Sequence, residues 1–239
     1  HLGTLTTSSL FGCHSVTAST TDADTTWADL QRDFQVYAIQ PEKDRTYFML
    51  TSSAGHFPEL TSSNFYNVYD NSKWNFAVRI KSQEYPWSSE VTSSQSASYE
   101  FYGVSMDHGY IAEEFSVSSS IAALSASAFI TGSNNKFYIG AHRTNFSGSL
   151  INKSDVRYLN FRVWKDYLTD LEVQYHAKDT DNFGRTNPAQ NTFIFENTAS
   201  IGGIHVPKID TLALHWAFFD VTSSDSTGKF IVEDLSSGS

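Results

Sequence analysis

The run FRVWKDYLTDLEVQYHAKD, Phe161 to Asp179, brings together Arg162, Lys165, Asp166, Asp170, Glu172, His176 and Asp179. Side chains of these types can pass a proton between a carboxylate and an imidazole while a guanidinium holds a developing negative charge. Their spacing favours a structural role. Leu159, Phe161 and Val163 alternate onto one face of a strand, and Tyr158, Asn160, Arg162 and Trp164 onto the other. After Asp166 the period changes. Thr169 and Glu172 have the form of a capping box, and Leu168, Leu171 and Tyr175 recur at helical spacing. Asp170 and Glu172 then sit in the first turn, where the helix dipole favours acids. A strand handing over to a helix near residues 170–177, with its charges in water, accounts for the cluster.

Other catalytic constellations fail on spacing too. The eight histidines include no H-x-x-x-H or H-E-x-x-H pair for zinc, and no G-x-S-x-G elbow or phosphate-cradling glycine loop occurs. Cys13, the single cysteine, follows Gly12 and reads as a small buried hydrophobe; it excludes an intrachain disulfide. Asp22 and Asp24 in TTDADTT place carboxylates two residues apart, yet calcium takes about six to eight oxygens. A solvated loop explains them equally well. No cofactor is expected, and calcium is the one ion the pattern admits. Asn145-Phe-Ser and Asn152-Lys-Ser are glycosylation sequons, of a kind that arises easily by chance.

The elements that must carry these residues are strands. Of 239 residues 40% are hydrophobic but only 18% charged, so surface polarity falls to Ser, Thr and Asn. Eighteen Phe and twelve Tyr suit a pleated, half-buried surface. A net charge of −10 argues against nucleic acid and anionic membranes, which attract clustered Lys and Arg. No apolar run is long enough for a membrane span, so no membrane insertion is expected.

WNFAVRIK sets Trp74, Phe76, Val78 and Ile80 on one face and Asn75, Ala77, Arg79 and Lys81 on the other. Phe34–Ile39 and Tyr47–Thr51 flank the polar turn PEKDR and read as a strand pair. YEFYGV with the turn SMDHGY, KFYIGA after GSNN, a short strand over Thr192–Glu196, LALHWAFF and GKFIVED complete the series. The chain opens at His1 without a leader pattern and closes on DLSSGS, so both ends are expected to be cuts from a longer chain.

Trp74, Gly103, Tyr138-Ile139-Gly140, Gly148, Trp164 and the LTDLEVQYH run from Leu168 to His176 occupy the places of motifs in a known family. Over roughly residues 5–180 the chain resembles the laminin-G-like, concanavalin-A-like jelly rolls. The resemblance implies an all-β, antiparallel two-sheet sandwich with one short helix. It divides the chain into a jelly roll at 1–180, a linker with a short strand at 181–208, and 209–239. That last part resembles the opening strands of a following module; the alternative is late strands of the same sandwich.

Large virion, tail-fibre and microbial surface proteins use modules that resemble this one. The resemblance therefore implies a non-catalytic structural or adhesion module, extracellular, on a cell surface or in a virion. Its partners would be other subunits or modules of a larger assembly. Glycans are the alternative partner, since the same fold family includes lectins. Sugar binding needs aromatic faces beside amides and carboxylates, and the candidates are Trp87, Tyr66, Tyr69, Asp70, Asn71, Asp107 and His108. Sheet packing and an ordinary Asp70-Asn71-Ser72 turn are the competing explanation. The family also includes glucanases, with E-x-D-x-E carboxylates on one face. No such motif occurs, and Glu113 and Glu114, being adjacent, point to opposite faces of a strand. No enzyme activity is expected.

Overall fold

A computed structural model describes residues 5–16, 30–53, 55–82, 95–132, 135–145, 148–184, 208–218, 223–224 and 230–236. In chain order its strands are β1 (Thr7–Val16), β2 (Leu30–Glu42), β3 (Arg45–Thr51), β4 (Leu60–Thr61), β5 (Phe65–Tyr66), β6 (Lys73–Ser82), β7 (Ser96–Asp107) and β8 (Tyr110–Ala122). Helix α1 (Ala123–Ile130) precedes β9 (Asn135–Ile139), β10 (Ala141–Arg143), β11 (Leu150–Lys153) and β12 (Asn160–Trp164). Helix α2 (Asp170–Lys178) precedes β13 (Leu212–Ala217), β14 (Ser223–Ser224) and β15 (Phe230–Ile231). The described residues are predominantly antiparallel β with two short α-helices. The chain packs as two compact units: His1–Ser72, Ala77–Tyr102 and Phe115–Val156 form the first, and Lys73–Phe76, Gly103–Glu114 and Arg157–Ser239 the second.

In the first unit the sheet order is β4-β3-β2-β1-β9, with β5 also paired to β3. The β2–β3 pairing holds Ala38 opposite Phe48 and Val36 opposite Leu50, so the alternation buries Thr46, Phe48 and Leu50. Phe115 of β8 gathers the aromatic core. It stacks on Phe48 at 5.8 Å between ring centres and meets Phe101 of β7 edge-on at 4.9 Å. Side chains of β3 and β5 therefore meet side chains of β7 and β8 face to face.

The expectation of a single helix is incomplete. Ala123–Ile130 is a second one, lying on the sheet through buried Ala123 and Ala126, with Phe129 wedged between Phe34 and Phe57. It has no side-chain cap, no acid in its first turn and no base in its last. The usual boundary signals are missing from its sequence.

In the second unit α2 begins where the spacing predicts. Thr169 N donates to Glu172 Oε2 at 2.7 Å, and Glu172 N returns a bond to Thr169 Oγ1 at 3.3 Å. Lys208 Nζ reaches the same Glu172 oxygen at 2.9 Å. β12 pairs with β13, setting Phe161 opposite Trp216, Arg162 opposite His215 and Val163 opposite Leu214. Phe183, Ile209 and Leu212 form an apolar cluster with Trp164 against it. The strand expected at Thr192–Glu196 lies outside the described residues.

Candidate functional site

Four of the seven candidate binding residues fall together, Tyr66 at the end of β5 and Tyr69, Asp70 and Asn71 on the segment after it. Asn67 and Asn71 both have left-handed backbone, at φ 56° and 61°, a conformation that asparagine tolerates better than most residues. The segment is folded by Asp70 N donating to the Asn67 carbonyl at 2.9 Å, and tied to the β2–β3 turn by Asn67 N donating to the Asp44 carbonyl at 3.0 Å. A cleft of about 180 Å³ opens between the two turns. Gln40, Lys43, Asp44, Asn67, Tyr69 and Asp70 line it. Tyr66 is 60% exposed, and Tyr69 turns inward. Burial pushes the Tyr69 phenol up to about 12, and the Asp155 carboxylate pushes the same way. Asn71 is exposed in the same turn but is not part of the cleft lining.

Asp107 and His108 belong to the second unit. They form the tip of the β7–β8 hairpin, where His108 and Gly109 take φ 49° and 84° in a two-residue turn. Positive φ at both central positions matches the twist of the flanking strands. The turn is shorter than SMDHGY, because the strands run to Asp107 and restart at Tyr110. His108 Nδ1 lies 2.6 Å from Asp107 Oδ1, and both side chains stand in solvent. Beside them Tyr110 is 79% exposed and Ile111 is also exposed. Trp87, Asp22 and Asp24 lie outside the described residues.

The interior holds two polar clusters that local patterns did not announce. In the first unit Asp33 is fully buried and accepts from Gln35 Nε2, Ser52 Oγ, Ser53 N and Ser53 Oγ at 2.5 to 2.8 Å. Burial alone would raise its carboxyl; these bonds outweigh that and hold it below the ordinary value. Nearby, Tyr37 OH lies 2.8 Å from His142 Nδ1, and His142 Nε2 lies 3.1 Å from His14 Nε2. Asn152, register partner of His142, bonds the Tyr37 oxygen. With Asn152 donating, the phenol proton goes to His142 Nδ1, and His142 then donates through Nε2 to His14. Burial lowers His14 to about 4, and the neighbouring His142 adds to the shift.

In the second unit the expectation of charges in water fails for part of the opening cluster. Arg162 is directed inward, donating through Nη1 to the Asn182 carbonyl at 2.8 Å and through Nη2 to the Thr180 carbonyl. His176 lies against Trp164, with ring centres 5.5 Å apart. The face that looked polar in sequence is covered by residues 176–184, whose backbone carbonyls satisfy Asn160 and Arg162.

Cys13 is fully buried and burial pushes its thiol well up, which leaves it inert as a nucleophile. Asn145 is buried and Asn152 is engaged by Tyr37, so neither sequon presents a free amide. Among the described residues no three His, Cys, Asp or Glu side chains converge as metal ligands, and no helix is long and apolar enough to cross a membrane. Compared with protein-family models, curated proteins and solved structures, the chain matches none of them.

Proposed function

We propose that this chain is a non-catalytic structural or adhesion module of a larger extracellular, cell-surface or virion assembly, built on a jelly-roll sandwich and acting through protein–protein contacts. The observation that carries the reading is the β7–β8 tip, where Tyr110 is 79% exposed with Ile111 beside it and the Asp107–His108 pair next to them. Tyrosine supplies much contact area at low entropic cost, and charged neighbours set the register of a contact. The meeting of β3 and β5 aromatics with those of β7 and β8 supports the two-sheet part of the proposal. A photo-crosslinking amino acid at position 110 of the assembled parent protein tests it. Adducts to a neighbouring subunit or module are expected; their absence, with efficient crosslinker incorporation, removes the basis of the reading.

The cleft favours a second reading, a carbohydrate-binding module. Asp44, Asn67 and Asp70 place carboxylates and an amide around it, with the exposed Tyr66 ring on the same segment. Sugars take this combination of hydroxyl partners and aromatic face. Glycan-array binding that disappears in Asp70→Ala and Tyr66→Ala supports it. Binding lost only in Trp87→Ala places the sugar elsewhere, and no binding to any glycan leaves the contact module alone.

A further inference from the structure

Charge is segregated along this chain. Between Lys81 and Lys136 the sequence has six acids and no Lys or Arg, whereas from Lys136 to Lys165 six Lys or Arg stand against one acid, Asp155. The fold carries that division onto two exposed surfaces. The β7–β8 hairpin of the second unit holds three of the acids, Asp107, Glu113 and Glu114. At its tip the Asp107 side chain is 75% exposed, with the exposed Tyr110 and Ile111 beside it.

The β10–β11 ribbon of the first unit holds the opposite combination. Leu150 and Ile151 are 48% and 50% exposed, and Arg143 and Lys153 are exposed with them. Arg143 stands opposite Leu150 in register, and its Nη1 donates to the Gly148 carbonyl at 2.9 Å, which holds the guanidinium at the end of the ribbon. Asp155 is engaged elsewhere, accepting from Ser8 Oγ at 2.9 Å and from Leu5 N at 3.3 Å.

Each surface sets two apolar side chains beside charge of one sign, and the signs are opposite. Apolar groups on both sides supply contact area, while complementary charges select the partner and fix its register. In a chain of net charge −10 a second copy approaches as an anion, and the basic ribbon attracts it where most of the surface repels it. An acidic polysaccharide would be attracted there too, but would leave Leu150 and Ile151 without an apolar partner.

We propose that the β7–β8 tip of one copy docks on the β10–β11 ribbon of a second copy of this chain, with Tyr110 and Ile111 against Leu150 and Ile151 and Asp107 towards Lys153. This rests on the reading of the tip as a contact surface and names what it contacts. The two surfaces differ, so the contact is head-to-tail and adds further copies in a row unless the rotation closes a ring. Patches this small bind weakly one at a time, and a row of linked copies holds through avidity.

Sedimentation velocity of the 239-residue chain, at about 0.05 M and about 1 M sodium chloride, tests the contact. Expected is association that grows with protein concentration and weakens in high salt. Asp107→Lys and Lys153→Glu are each expected to weaken it at least about tenfold, since each sets like charges face to face. An equimolar mixture of the two variants is expected to recover association, because the changed tip then meets the changed ribbon. If a reversal fails to fold, Tyr110→Ser, which leaves both charges in place, is expected to weaken association as well. A photo-crosslinker at position 110 is expected to give adducts to residues 150–153 of another copy. A chain that remains monomeric to about 1 mM, variants that associate like the wild type, or a mixture that fails to recover overturns the inference. In the assembled parent protein, adducts from position 110 to a different protein alone overturn this pairing and keep the contact-module reading. The absence of any adduct removes both.

Discussion

The Nε2 atoms of His14 and His142 lie 3.1 Å apart inside the first unit, within hydrogen-bond distance. The rings come from β1 and β10, and Tyr138 stacks on both. Tyr37 and Asp33 of β2 face the pair. Asp33 favours a charged ring but is outweighed by burial. The folded state therefore prefers neutral rings, whereas the unfolded chain takes up protons near pH 6.5. The unfolded state binds more protons as pH falls from 6.5 towards about 4, so stability present above that window is lost across it. His14 alone contributes on the order of 3 kcal/mol to this loss, and His215 and His176 add to it in the same direction. Urea midpoints are expected to drop between about pH 7 and about pH 4.5, and His14→Gln to flatten the profile. A wild-type midpoint that stays constant over that range contradicts the buried-pair account.

Asp33→Ala leaves the Gln35, Ser52 and Ser53 donors without their acceptor in a closed interior. Unfolding free energy is expected to fall by about 3 kcal/mol or more, the scale of removing one partner from a buried charge-assisted network. Asp33→Asn, which keeps the shape and part of the acceptance, loses less. Chemical denaturation of both variants measures the difference, and equal losses contradict the charge-assisted description.

Thr169→Ala removes the cap of α2. About 1 kcal/mol of stability goes with it, read as faster amide exchange over Leu171–Tyr175 and a lower thermal midpoint. Glu172→Gln weakens both the cap and the tie to Lys208. A double variant of Thr169 and Glu172 that loses the plain sum of the single losses argues against a coupled capping box.

Gly12→Ala is expected to unfold or loosen the β1–β9 edge. A Cβ at this position would overlap the Tyr138 ring and lie 2.7 Å from the Phe34 carbonyl oxygen. Because backbone is part of the clash, trimming Tyr138 to Leu restores only part of the loss. Overpacking on this scale costs about 1–3 kcal/mol or more, and full rescue by Tyr138→Leu shows that the ring alone is responsible.

Much of the secondary structure was legible because its causes are local. The period-two run at Lys73–Ser82, the strand pair around the PEKDR turn and the Thr169–Glu172 cap each lie within a few neighbours, where backbone geometry alone sets the outcome. Helix α1 escaped notice because small residues without caps carry no local signal, and Phe129 finds its place against Phe34 and Phe57, which are distant in sequence. The grouping of Tyr69 with Asp70 along a cleft was readable in part. Lys43 and Asp44, which line its other side, join them only through the pairing of β3 with β5.

The sequence by itself determined where strands alternate, where α2 starts, that Cys13 has no disulfide partner within these 239 residues, and that they carry no catalytic motif in local spacing. Only the tertiary structure decided which polar side chains lie inside. His14 meets His142 across 128 positions, and Arg162 turns inward because the carbonyls of Thr180 and Asn182 accept its protons. Burial of a polar group is tolerated only where a partner waits, and these partners arrive from distant parts of the chain, which no short-range pattern encodes.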